Sequence, residues 1–540
     1  MLTTCRLFAL AVMVKPTKST IQAVCLSTAL LLACAAASVG CRPRRGYTAA
    51  PLGRNALGPG PGALTGTGCA GPMVGSHKTY DVGPGRAHTE LTTVPWVSLQ
   101  AGDVVNVYYR PEPYRTKLGL RASGTAQRPV VINGVTDAQC RRPIITGENA
   151  VTMADARRTP FFSEKYSEFL GTIFIYRAPS DPYAYKPKHL EIRNLKITGA
   201  AKGNTYTSQQ GTPGKFTGGA AGIYAIVVED LLVENCEITG NSIGVFVNTR
   251  NDMEEDASRR ITIRRNIISL NGTPGSWFDH NLYIQAQGAL YEGNTIGKLT
   301  AGAIGSSLKD RSSGTVIRFN RIDAAARAID LVETEGGGTS VFKDPDYNTA
   351  WVYGNLIVND WSSPLTSSGG LIHWGGDNSP QLFRRGTLYF YYNTVVSWGE
   401  RKRTWRITLF DLPSDEQRVE ARGNILCSLG DPNWQLLGHY GKLDLVGTNW
   451  IQDGWQNGYE GAKVEVNVRG KVLTGAEPGF KALASGDFTL GDKSPAVDAG
   501  DTAAPAELAS RWLDGEYRQG GAAARRTRHG SAYDLGAFER

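Results

Sequence analysis

The chain has 540 residues, with 58 Lys+Arg against 50 Asp+Glu and a hydrophobic fraction of 41%. That is enough apolar content for a packed core and too little charge per residue for a disordered polymer, while a formal charge of +8 is too dilute to specify a nucleic acid, a membrane or an acidic substrate. With 64 Gly, about 12% against a usual ~7%, and only 5 Met, the composition favours a turn-rich β protein over a helical bundle.

Lys15 and Lys18 precede an apolar stretch from Ile21 to Val39, which reads as the charged and hydrophobic regions of an export signal spanning residues 1–40, with Met13 as an alternative start. Leu31-Leu32-Ala33-Cys34 resembles a bacterial lipobox and Ser38-Val39-Gly40-Cys41 is a second candidate, so Cys34 and Cys41 are the lipidation candidates, against plain cleavage after small residues. The expected location is the bacterial cell envelope, through a lipid anchor, or the medium. No later segment approaches the ~20 apolar residues of a transmembrane helix. Residues 41–94 read as a tether and N-terminal segment, built around Gly58-Pro59-Gly60-Pro61-Gly62. Cys41, Cys69, Cys140, Cys236 and Cys427 match no zinc spacing, and an oxidising compartment permits a disulfide such as Cys69 to Cys140.

From about Pro95 the chain is a series of short β-rich runs broken by Gly, Asn and Asp. Six of them align on an asparagine followed by apolar residues, at Asn266, Asn294, Asn320, Asn355, Asn393 and Asn424, with looser copies at Asn194 and Asn235. One such repeat cannot bury its apolar face, but stacked coils bury a continuous one and hydrogen-bond from coil to coil. An asparagine at each bend tolerates left-handed geometry and its amide can bond to the asparagines above and below. Repeats of ~25 residues or more without a 3.6-residue period predict an all-β solenoid rather than a hexapeptide coil, a leucine-rich horseshoe or a helical array.

On these runs the chain resembles the right-handed parallel β-helix family of carbohydrate-active proteins, often called pectate-lyase-like, over residues 95–540. The resemblance implies a single-domain right-handed parallel β-helix. Leu99-Gln100-Ala101-Gly102-Asp103-Val104-Val105 resembles the first coil of such proteins, and Ser494 to Gly500 followed by Asp534 to Glu539 resembles their closing segment, so both ends are expected to be caps. Residues 429–481 are expected to be late coils or a small cap.

A second set of runs stacks by its apolar residues. Aligning Ile223, Val245, Leu282, Ile304, Ile329, Ile372 and Ile407 as inward-pointing sends the next residue of each outward. The outward column then reads Tyr224, Phe246, Tyr283, Gly305, Asp330, His373, Thr408, with Asn248, Gln285 and Ser307 two residues further on and Lys309, Arg311 and Glu333 at the edge. A one-residue slip would reverse every assignment. The catalytic candidates are Lys309, Arg311, Tyr283, His280, Asp330 and His373, and the substrate-binding candidates are Asn248, Gln285, Glu333 and Trp374. Asp310 and Asp377 read as formers of Asx turns, and His280 as a brace for the turn at Asn281.

A groove with such residues suits proton abstraction next to the carboxylate of a uronic acid. Arg311 would neutralise the carboxylate, Lys309 or His280 would act as base, and Tyr283 would protonate the leaving oxygen. Ser307-Leu308-Lys309 followed by Ile317-Arg318-Phe319-Asn320 resembles the lysine-bearing coil of the alginate-lyase and chondroitinase-B-like branch, and Trp277-Phe278-Asp279-His280 resembles the Trp-x-Asp-His of pectate lyases. These resemblances imply a polysaccharide lyase acting by β-elimination on an acidic polysaccharide, with Ca²⁺ an option and no cofactor required. A C5-epimerase shares the first step. A glycoside hydrolase would draw two carboxyl groups from Asp330, Glu333 and Glu335. A non-catalytic glycan-binding or adhesin solenoid would use Trp361, Trp374 and Trp398. A monomer is expected, with no nucleic-acid partner, and no resident metal is assigned to specific residues.

Overall fold

The computed structural model describes residues 69–153, 168–250, 253–336, 338–360, 370–398, 407–429, 434–518 and 522–540. All of them belong to one compact unit, Gly58–Arg540. The export signal, Cys34, Cys41, the Gly58 to Gly62 run and Trp361 lie outside the described residues. Among the described residues no helix is long and apolar enough to cross a membrane.

The fold is a right-handed parallel β-helix. Its described strands form three long sheets, two of 13 strands and one of 11, in which neighbours come from successive coils. One coil shows the course of the chain: Gln287–Glu292 joins the first sheet, Thr295–Ile296 the third, and Leu308–Asp310 the second. Alternation decides which side chains enter the core. Leu231, Val233, Ile261 and Ile263 of the first sheet and Ile223, Val245 and Leu282 of the second are all buried in one continuous apolar cluster.

The asparagines form a ladder. The Oδ1 of Asn320 accepts from the backbone N–H of Asn294 at 2.8 Å and from its Nδ2 at 2.9 Å, while the Nδ2 of Asn320 donates to Tyr291 O at 2.9 Å and to Asn355 Oδ1 at 3.0 Å. The same links continue through Asn393 and Asn424 to Asn449. Left-handed geometry, expected at the asparagines, falls instead on the residue before each, at Arg265 (φ 57), Gly293 (φ 66), Phe319 (φ 56), Gly354 (φ 63), Tyr392 (φ 52) and Gly423 (φ 68). The amide is thereby turned inward, where it satisfies backbone groups at the corner. Asn194 and Asn235 stand one position earlier in register. They carry the left-handed geometry themselves and form a second ladder with Asn133 and Asn106.

Of three expectations about the ends, one shifts and two gain detail. The first strand, Thr79–Val82, pairs in parallel with Val104–Tyr108, so the solenoid starts before residue 95. Residues 435–475 supply five further coil strands, which resolves residues 429–481 as mainly late coils. The closing segment covers the flanks rather than only the end. Phe480, Phe488, Leu490, Ala496 and Leu535 cover the outer residues Leu356, Val358, Val396 and Ile425 of the third sheet, and Leu508, Leu513 and Ala523 cover Trp351, Tyr353 and Tyr391 of the first. Neither of these clusters draws on the second sheet. Cys69 and Cys140 form a disulfide, while Cys236 and Cys427 are buried free thiols.

Replacing Asn320 by Ala removes the acceptor of both Asn294 donors and the amide donor to Tyr291 O and Arg318 O, while Asn355 Oδ1 keeps only the backbone N–H of residue 320. Denaturant titration is expected to show a loss of about 2–4 kcal/mol. A loss under about 1 kcal/mol would mean that backbone pairing alone sets the coil register.

Candidate active site

The outer face of the second sheet carries the site. Its strands Gly171–Ile175, Ala221–Ile226, Ile243–Asn248, Leu282–Ile284, Leu308–Asp310, Ile329–Leu331, Gly370–Trp374 and Thr408–Asp411 pair in register. The outward column is Phe174, Tyr224, Phe246, Tyr283, Lys309, Asp330, His373, Asp411. Two coils of the expected alignment are corrected. Leu308, not Ile304, is the inward residue opposite Leu282, and Phe410, not Ile407, lies opposite Ile372. Ile304 and Leu308 are four apart and both apolar, so alternation alone could not separate them. The correction puts Lys309 in the floor where Gly305 was expected, and Asp411 in place of Thr408. Ser307 is buried, its hydroxyl donating to Asp323 O at 2.7 Å.

The column has two halves. Tyr224 and Phe246 stack with ring centroids 4.4 Å apart, and Phe246 meets the Tyr283 ring edge-on at 5.2 Å. Beyond Tyr283 every residue is ionisable. At the junction lies a cavity of about 390 Å³, lined by Tyr283, Lys309, Arg311, Asp330, Glu335 and Asp377 among others, with Trp277 and Phe278 at its edge. These two aromatics are 56% and 78% exposed, unusual for rings of their size.

Two hydrogen-bonded clusters line it. In the first, the Tyr283 hydroxyl donates to Glu335 Oε1 and accepts from Arg311 Nε at 3.0 Å, while Arg311 also pairs with Glu335 Oε2 at 3.0 Å. Burial pushes the Tyr283 phenol well up, and Arg311 offsets this only in part, so the phenol keeps its proton. In the second, the Lys309 ammonium sits between Asp330 Oδ2 at 2.7 Å and Asp377 Oδ2 at 2.8 Å. Asp330 Oδ1 meets His373 Nδ1 at 2.8 Å and Arg327 at 3.1 Å. Burial favours a neutral Asp330, yet Lys309, His373 and Arg327 outweigh it and hold the carboxyl well below the usual carboxylate range. Burial and the Asp330 charge raise Asp377, but Lys309 and His373 bring it below its ordinary value.

Several candidates have other work. His280 lines the cavity, but its Nδ1 accepts from the backbone N–H of Ser306 at 2.8 Å, which places the ring proton on Nε2. Burial, with Lys309 second, lowers its pKa to about 3. It is therefore a neutral donor rather than a base, and it braces the turn at Ser306, not that at Asn281. Lys309 is likewise engaged by two carboxylates and is not a free amine. Trp374 points inward by alternation after His373, is fully buried, and donates to Gly386 O at 3.3 Å, so it cannot meet a substrate. Glu333 is buried and accepts the backbone N–H groups of Asp377, Asn378 and Ser379 at 2.7, 2.8 and 2.8 Å, fixing that loop. Gln285 spends its amide on Asn248, Thr249, Thr334 and both backbone groups of Glu335, so Asn248 and Gln285 position Glu335. His373 is covered by Arg327 and Asp377. Trp398 packs edge-on against Phe488, on the covered flank of the third sheet.

Asp310 makes an Asx-type bond to Ser312 N at 2.9 Å, but it also points into the solenoid, where Tyr291 donates to it at 2.8 Å and Arg384 pairs with it at 3.2 Å. Asp377, also expected in a turn, reaches the cavity. Arg327 was not singled out by the sequence. Its signal was a lone charge within Ala324-Ala325-Ala326-Arg327-Ala328.

The cavity is lined by three cations, Lys309, Arg311 and Arg327, and three carboxylates, Asp330, Glu335 and Asp377, with each cation paired to at least one carboxylate; Glu333 and Asp411 pair with Arg311 and Arg327 outside the lining. Among the described residues, Asp330, His373 and Asp377 are the group whose ligand atoms lie close enough, within 4.8 Å, to hold a metal ion. They do not fit Ca²⁺, which takes oxygen ligands, because one donor is an imidazole and the Lys309 ammonium already lies between the two carboxylates.

The buried His280 makes a pH-dependent contribution. Between pH ~6.5 and about 3 the unfolded chain binds a proton at His280 that the native state does not, so stability rises with pH across this window and falls on acidification. His280→Asn is expected to flatten the decline in melting temperature between pH 7 and 4 relative to the parent. An unchanged slope would place the acid sensitivity elsewhere.

Comparison with protein-family models finds no match, and comparison with curated proteins finds none. Among solved structures, the chain is similar to an alginate lyase from Paenibacillus sp. str. FPU-7, at 13% identity and TM-score 0.38, covering 73% of this chain and 100% of that one. It is also similar to a GH136 lacto-N-biosidase from Eubacterium ramulus, at 12% identity and TM-score 0.40, covering 74% and 68%. A third is the pectate lyase Pel9A, at 11% identity and TM-score 0.37, covering 88% and 98%. Likeness at this level leaves activity to be argued from the site itself.

Proposed function

We propose that this β-helix protein is a carbohydrate-active enzyme that cleaves a glycosidic bond in the cavity at Tyr283 and Lys309, and that the reaction is hydrolysis. The observation that carries this reading is that every cation lining the cavity, Lys309, Arg311 and Arg327, is already paired with a carboxylate. Elimination from an acidic polysaccharide, which the sequence favoured, needs a cation free to neutralise the uronate carboxylate. Hydrolysis needs two carboxyl groups on opposite sides of the bond.

Those groups are present. Glu335, joined to Tyr283, lies on one side, and Asp330 with Asp377 on the other. Tyr283 and Asp330 are two coils apart, roughly 10 Å at the backbone, which leaves room between the two arms for the scissile bond and a water. In this reading Asp377 takes a proton from water as its oxygen bonds to the anomeric carbon. The Tyr283 and Glu335 arm gives a proton to the leaving oxygen as the glycosidic C–O bond breaks. Arg311 stabilises negative charge left on that arm. Trp277 and Phe278 supply apolar faces for a sugar ring. No metal is required.

Elimination keeps one supporting observation, the Arg311 contact to the Tyr283 oxygen, which would stabilise a phenolate acting as base or relay. Incubating the mature protein with alginate, polygalacturonate, chondroitin sulfate, cellulose oligomers and xylan, while following reducing ends and ultraviolet absorbance together, separates the two. New reducing ends without absorbance are expected, with inverted anomeric configuration by proton NMR. Asp377→Asn and Tyr283→Phe should each lower turnover on the order of 10²–10⁴-fold with the fold intact. Absorbance rising with the reducing ends would replace hydrolysis by elimination.

A further inference from the structure

The two walls of the groove do not run free past the cavity. Arg327 comes from the turn before the floor strand Ile329–Leu331, and Asp377 from the loop after the floor strand Gly370–Trp374, so they stand on opposite sides of the column. They meet above it. Arg327 Nη1 lies 3.3 Å from Asp377 Oδ1, 3.1 Å from Asp330 Oδ1 and 2.6 Å from His373 Nδ1, and its Nη2 reaches Asp411 Oδ2 at 3.0 Å, beyond His373 in the column. Beneath this span His373 keeps only 5% of its side chain exposed.

Both abutments are built in. Asp377 is fixed by the buried Glu333 carboxylate through three successive backbone N–H groups, and by Lys309 from the floor. Arg327 is held by Asp330 below and Asp411 ahead. The crossing is thus a network anchored at buried points, not a lone surface pair, and breaking one contact leaves the others in place.

We propose that the Arg327 to Asp377 bridge dams the groove on the Asp330 side of the cavity, so that the enzyme binds the end of a glycan chain and not its interior, with Arg327 as a specificity-determining residue. A polymer lying along the floor from Phe246 towards Asp411 would have to pass through the bridge. A chain terminus need only abut it, with the terminal sugar in the cavity and the rest leaving past Trp277 and Phe278. A cavity of about 390 Å³ fits this, being at the small end of the ~300–1,000 Å³ of ligand pockets. This inference rests on the glycan reading of the cavity.

Calorimetric titration of the Tyr283→Phe protein, used to suppress turnover, tests it with two linear series from dimer to octamer, oligogalacturonates and cello-oligosaccharides, each also with one or the other terminus blocked by a bulky label. Affinity is expected to level off after the first few units, and blocking one terminus to weaken binding about tenfold or more. Adding Arg327→Ala, or Asp377→Asn as a second way of opening the bridge, should restore binding of the blocked chains and let affinity climb further with length. Affinity rising through the octamer, with indifference to both blocks while the bridge is intact, would overturn the dam and leave the glycan reading standing. Failure of both series to bind would overturn the glycan reading, and the dam with it.

Discussion

The register between coils is the constraint on which everything else rests. A parallel sheet whose strands come from successive coils offers no local turn to fix pairing, and a slip of one residue would exchange core and surface along a whole strand. The asparagine ladder removes that freedom at one corner of each coil from Asn266 to Asn449. Each amide satisfies backbone groups of its own coil and the one beside it, and the residue before it takes the left-handed conformation that turns the amide inward. A buried amide with all its bonds made is stabilising in one register and costly in any other. The outward column, and therefore the site, inherits its alignment from this ladder.

A second constraint decides which face can act. In the later coils, several outer residues of the first and third sheets are large and apolar, among them Trp351, Tyr353, Tyr391, Leu356 and Ile425, and they would be exposed on a bare solenoid. The closing segment covers them. The second sheet spends its outer positions differently, with stacked aromatics as far as Tyr283 and ionisable groups after it. Those charges are tolerable because each is matched. Asp310 and Arg384 pair inside the solenoid directly behind Lys309 and Arg311, so the site strand carries ion pairs on both faces. Such an arrangement adds little stability against a hydrophobic alternative but penalises the loss of any one partner heavily, which suits a site that must hold its geometry.

Much of this was legible in the sequence, for identifiable reasons. The asparagine spacing and the apolar residues that follow each asparagine revealed a solenoid, because corner chemistry and core burial recur with each coil. Tyr283 and Asp330 were found because they sit on strands, where periodicity carries over, while Lys309 and Arg311 were noticed as charges at the groove edge. What escaped came from turns of variable length. Ile304 was taken for Leu308 because the coil between Asn294 and Asn320 has two apolar residues of the same parity. Glu333 was read as substrate-binding when its carboxylate serves a loop 44 residues away, and Asp377 was read as a turn former when that loop carries it to Lys309. Side chains contributed by loops have no period, and only their partners in space reveal their role.

The electrostatics then separate reactions that the residue types alone do not. Lys, Arg, Tyr and His in one groove suit proton abstraction from an acidic sugar if the cations are free and the histidine can act as a base. Here the backbone of Ser306 occupies the histidine's acceptor nitrogen, and carboxylates occupy Lys309, Arg311 and Arg327. An acidic substrate would have to displace a carboxylate already held in a better-desolvated ion pair, at a cost that its own ion pair would at most offset. A neutral sugar meets no such competition and is offered what it can use: hydrogen-bond acceptors, a phenol that keeps its proton, and a carboxylate held in its charged form. Charge balance within about two coils of Lys309, more than the identity of any one residue, is what turns the reading from elimination towards hydrolysis.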